Sequence, residues 1–98
     1  MARLRDDRLD REAAEKLAIS IIAMIAEEPE TLGRFLAATG LGPANLREAA
    51  HEPRFLTAVI EYVLADESLL LMVAERCRVR PTLIAAARSR LDAAADEE

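Results

Sequence analysis

The chain has no tryptophan, one histidine (His51) and one cysteine (Cys77), and each scarcity removes a class of function. A single cysteine excludes an internal disulfide and any cysteine-based zinc site. His51-Glu52-Pro53 opens like the zinc motif HExxH, but the second ligand position is Phe55, and Pro53 interrupts the helix that such a motif needs. Cys77 and His51 stand 26 positions apart in sequence (77 − 51 = 26). A nucleophile–base pair between them would depend wholly on the fold, so Cys77 reads first as a small hydrophobe near a turn. No phosphate-cradling GxGxxG or P-loop occurs; Gly40 and Gly42 sit where helices stop and start.

Aromatic side chains are limited to Phe35, Phe55 and Tyr62, so any core must be aliphatic. Long apolar runs are missing too. The longest, residues 17–26, is broken by Ser20 and falls well short of the roughly 20 residues that span a bilayer. No basic–apolar–small leader opens the chain, so a soluble, cytoplasmic protein without membrane association is expected. Lysine is represented only by Lys16, and the formal charge of −5 (18 acids, 13 bases) disfavours non-specific binding to phosphate. The paired acids Asp6-Asp7, Glu27-Glu28 and Asp66-Glu67 fall at expected helix boundaries. Capping and helix-dipole complementation account for them. With no residue set for catalysis, the chain is expected not to be an enzyme and to need no cofactor or metal.

What is present is one pattern written twice. FLAATGLGPANL at residues 35–46 recurs as VAERCRVRPTLI at 73–84, an offset of 38 (81 − 43 = 38). That register pairs Leu32 with Leu70, Phe35 with Val73, Leu36 with Ala74, Leu41 with Val79, Pro43 with Pro81, Leu46 with Ile84 and Ala49 with Ala87. Each copy reads as a helix, a tight turn holding one apolar residue, a proline and a second helix. A helical hairpin and a DNA-reading helix-turn-helix share that outline.

The punctuation predicts six helices. Asp10 caps a first, running to about Glu27, with Ala14, Leu17, Ala18, Ile21, Ile22, Met24 and Ile25 on a stripe wide enough for a central position. Pro29, Pro43, Pro53 and Pro81 suit first helical positions, Gly40 suits a left-handed cap, and Asp66 caps a helix over 67–76. Nothing alternates with period two for long enough to be a strand. The expectation is an all-α, compact orthogonal bundle of about six helices with two related helix-turn-helix-like hairpins, forming one domain over 1–98, with 1–9 and 93–98 frayed.

LGRFLAATGLGP and LADESLLL, within a stretch from about Ala14 to Ala87, resemble a family of small bacterial proteins known as domain of unknown function 3572. The resemblance implies the same all-helical fold and brings no activity, cofactor or site residue with it.

Two features remain as candidate sites. Residues 69–73 (LLLMV) are apolar all round a helical turn. Either this helix is the hub of the bundle, or Leu70, Leu71 and Met72 also supply an interface to a protein partner or a second copy. The second candidate is the arginine-rich hairpin, where Arg76, Arg78, Arg80 and Arg88 could touch phosphates, or could equally pair with acids at the termini, Asp6, Asp7 and residues 96–98. The reading positions that follow, Thr82, Ala85 and Ala86, offer little to a base edge. In the first copy, Asn45 and Arg47 stand beside Glu48 and Glu52, which repel phosphate. A non-catalytic interaction or adaptor module, possibly homodimeric, is therefore the preferred expectation, with nucleic-acid association through the second hairpin as the alternative.

Overall fold

Asp10 begins the first helix by accepting the amide of Ala13 on its carboxylate at 2.8 Å, which satisfies one of the unpaired donors of the first turn. In the computed structural model, which describes residues 9–96, six α-helices follow one another: α1 (Arg11–Ala26), α2 (Pro29–Thr39), α3 (Pro43–Ala49), α4 (Pro53–Leu64), α5 (Glu67–Cys77) and α6 (Pro81–Asp96). Proline stands at the first turn of α2, α3 and α4, and α6 starts on Pro81. There the missing N–H costs nothing and the fixed φ is already helical. No strand occurs among the described residues, and the all-α bundle is the fold.

α1, α4 and α6 pack against one another, and α5 leans on all three. Their buried faces form one aliphatic cluster, with Ile21, Ile60, Ile84 and Leu91 fully enclosed. Side chains of that size each contribute roughly 1.5–3 kcal/mol when buried. The radius of gyration is 12.7 Å, about what a compact globule of 100 residues has. Among the described residues, no helix is long and apolar enough to cross a membrane.

The repeat is carried by the backbone. Adding 38 to the bounds of α2 (29–39) gives those of α5 (67–77), and adding 38 to the start of α3 (43) gives the start of α6 (81). Phe35 and Val73, the paired anchors, are both fully buried. Leu41 and Val79 plug the two turns, each half-buried against the core.

Several expectations change on contact with the structure. The hub is not α5, which gives only Val73 and Ala74 to the interior, but α1, central as expected, together with α4, each with six buried residues. Leu9, grouped by sequence with a frayed arm, is buried; residues 1–8 lie outside the described residues. At the other end α6 runs through Asp96, over a stretch rich in alanine, the best helix former. Residues 97 and 98 are likewise outside the described part.

Candidate functional site

α5 is where local sequence and tertiary packing disagree most. The carboxylate of Asp66 accepts the Leu69 amide at 3.1 Å and starts the helix. Five consecutive apolar residues follow at 69–73, more than one face of a surface helix can bury. The core encloses Val73, and Leu69 and Leu70 rest half-buried against it. Leu71 points outward and is 53% exposed. Met72 is half-buried on another side. The three candidate interface residues thus take three directions, and only Leu71 is offered to solvent.

Met72 lines a cleft of about 250 Å³ between α2 and the α4–α5 junction, with Glu28, Thr31 and Arg34 on one wall and Asp66, Ser68 and Leu69 on the other. The walls are related by the repeat, since 28, 31 and 34 become 66, 69 and 72 on adding 38. Repeat-equivalent positions thus line one cleft. Tyr62 also lines the cleft, its ring edge-on to Phe35 at 5.1 Å, with Phe35 in turn edge-on to Phe55 at 6.0 Å. Thr31, nearly buried, donates its hydroxyl hydrogen to Glu28 at 3.1 Å. Sequence reading missed Glu28, Thr31, Arg34 and Tyr62 as a group. The register that pairs Leu32 with Leu70 also pairs these walls, so the signal was present in the repeat.

The arginines of the second hairpin do not form one surface. Arg76, at the end of α5, pairs with Glu27 at the end of α1 at 3.1 Å. Arg88, on α6, donates from both Nε and Nη2 to one oxygen of Glu61 on α4, at 3.0 and 2.8 Å. Those bonds, then the charges of Glu61 and Asp92, hold the Arg88 guanidinium protonated more firmly than usual. Arg78 is exposed and makes no ion pair among the described residues; Arg80 is exposed as well. The acids first considered as partners, Asp6, Asp7 and residues 96–98, have side chains outside the described part.

Between α1 and the α5–α6 turn lies a wider, half-open groove of about 680 Å³, lined by Lys16, Leu17, Met24, Arg76, Cys77 and Val79 among others. Its polar rim is mixed in sign, with Asp10 and Glu12 beside Lys16 and Arg76. Cys77 is half-buried there. Burial raises its thiol above the ordinary pKa, against an opposing pull from Arg76, which is the environment of a quiet thiol rather than an activated one. His51 is exposed at the α3–α4 junction and lines neither depression. Among the described residues, no three His, Cys, Asp or Glu side chains are grouped to hold a metal ion.

A family model described as "Protein of unknown function (DUF3572)" matches residues 11–94 of the chain. No curated protein and no solved structure matches it.

Proposed function

Given that the chain belongs to the DUF3572 family, we propose that it is a non-catalytic protein-interaction module of the cytoplasm that docks through the outer face of α5. The carrying observation is Leu71. It is 53% exposed in a helix whose apolar run exceeds what the core takes up, and burying so large an aliphatic side chain against a partner would contribute favourably to binding. Its helical neighbours one turn away, Glu67 and Glu75, are exposed acids. They surround the apolar point with charge, as a polar rim surrounds the centre of an interface.

A photo-crosslinking amino acid at position 71, compared with one at the exposed position 48, tests this in growing cells. A discrete adduct from position 71 and none from 48 supports docking through α5. Equal, diffuse labelling from both positions overturns it.

Association with nucleic acid through the second hairpin is the alternative. It has less to draw on, because Arg76 and Arg88 are each held by an acid from α1 and α4. That reading requires salt-sensitive retention on DNA at about 50 mM salt, weakened by the Arg78→Ala/Arg80→Ala pair. Passage through a DNA column without retention at that salt removes it.

A further inference from the structure

The second helices of the two hairpins share a register but not an environment. Ile84 and Ala87 of α6 are fully buried, whereas their equivalents in α3, Leu46 and Ala49, are only half-buried, as is the C-cap Ala50. α6 packs on α1 and α4, but α3 packs closely on no other helix among the described residues. Nor does polar bonding hold it. Among those residues no α3 side chain makes a hydrogen bond or ion pair, and its N-cap, Gly42, has no side chain to cap the first turn. With seven residues, α3 is also far below the roughly 12–15 at which a helix becomes even marginal by itself.

Both ends of α3 are breaks in the backbone bonding. Gly40, left-handed at φ 77°, closes α2, and a fresh set of bonds starts when the Asn45 amide donates to Gly42 at 3.0 Å. At the far end the Glu52 amide donates back to Ala49 at 2.9 Å, while the Glu52 carbonyl accepts Leu56 at 3.1 Å and begins α4. Pro53, lying between, has no N–H to tie the two helices together. We propose that α3 is a hinged flap, which leaves the core and loses its helix as one unit while the other five helices stay folded. The pivots are residues 40–42 and 51–53. Opening bares the apolar side of Leu46 and the core surface beneath it. Elements that move when a protein binds are drawn from the least stable part of a fold, and α3 is that part here. The flap does not depend on docking through α5.

Native-state hydrogen exchange of the full chain, followed amide by amide, tests it. The Ala50 amide, bonded to Leu46 at 3.0 Å, has its repeat equivalent at Arg88 (50 + 38 = 88), inside α6. After correction for intrinsic rates, Ala50 should exchange about a hundredfold faster than Arg88 or more. Low urea should hardly change the Ala50 rate, because a small opening exposes little surface. Leu46→Ala should speed exchange at Ala50 by about tenfold and leave α4 and α6 as protected as before. Equal protection and an equal urea slope at Ala50 and Arg88 would overturn the flap, since α3 would then open only with the whole domain. A Leu46→Ala variant in which α3, α4 and α6 lose protection by the same factor would overturn it too.

Discussion

Gly40 and Arg78 hold the same left-handed backbone, φ 77° and φ 60°, at positions 38 residues apart (78 − 40 = 38). Each ends the first helix of its hairpin. The Gly40 amide reaches back to the Leu36 carbonyl at 2.9 Å, a simple αL cap. After Arg78 the closure is tighter: its amide donates to Glu75 at 3.3 Å, and the next amide, Val79, donates to Ala74 at 3.0 Å. That pair of bonds is a Schellman motif, and it brings Val79 back against the core. One turn is thus built twice, with the residue suited to it in only one copy.

Arg78→Gly should therefore stabilise the fold. A residue with a Cβ in the left-handed region costs roughly 1–2 kcal/mol, part of which glycine returns as lost chain entropy. A net gain of about 1 kcal/mol would raise the melting temperature by about 4 °C in a chain of this size. Gly40→Ala should do the reverse. Thermal unfolding of both variants checks the pair, and a destabilised Arg78→Gly would show that the arginine side chain holds the turn through contacts of its own.

The helices were legible because their ends are written in local chemistry: proline at first positions, Asp10 and Asp66 as caps, glycine at one stop. Arg78 was not legible from its residue type. Its conformation follows only from the register with Gly40. Burial was harder to read wherever it depends on distant partners. Leu9 lies among charges in RDDRLDRE and gives no periodic signal, yet packs into the core. The run at 69–73 is hydrophobic enough for a hub, but α1 and α4 hold that place, so Leu71 is left outside. Arg76 and Arg88 find acids 49 and 27 positions away, where sequence reading looked to the termini.

Phe35 and Leu71 should respond in opposite ways to truncation. Phe35 is fully enclosed, with Phe55 and Tyr62 edge-on to its ring. Phe35→Ala leaves a cavity and should cost about 3–5 kcal/mol, a large share of the 5–15 kcal/mol that such domains have. Leu71→Ala removes little buried contact and should stay within about 0.5 kcal/mol of the parent in the monomer. Urea unfolding at low protein concentration measures both. A loss at Leu71 close to that at Phe35 would mean that its exposed side chain is part of the core after all.

Cys77 should react slowly with iodoacetamide in the folded chain, because burial disfavours its thiolate. Arg76→Gln removes the one influence that lowers the thiol pKa and should slow alkylation further. The linkage has a definite sign. A thiol whose folded pKa lies above its unfolded value contributes stability that is present below the unfolded pKa and lost as pH rises through the folded one. Stability should fall on the alkaline side of the ordinary thiol range, and Cys77→Ala should flatten that limb. Alkylation equal in rate to that of the unfolded chain would contradict this environment.

The two equivalent helix starts, Glu28 and Asp66, should differ in what they contribute. Asp66 reaches the Leu69 amide, and Asp66→Ala should cost about 1 kcal/mol, the usual value of such a cap. Glu28 occupies the same position before α2 but makes no capping bond; its longer side chain accepts the Thr31 hydroxyl at 3.1 Å instead. Glu28→Asp sets up a direct test. The shorter carboxylate can cap the Thr31 amide, as Asp66 caps Leu69, at the expense of the bond to the Thr31 hydroxyl. Caps contribute roughly 0.5–2 kcal/mol and a typical hydrogen bond about 0.5–1.5 kcal/mol, so the variant should gain a few tenths of a kcal/mol or come out level. Equilibrium unfolding decides it: a loss beyond about 1 kcal/mol would mean that the Glu28–Thr31 bond, at the edge of the α2–α5 cleft, holds that wall more strongly than any cap could.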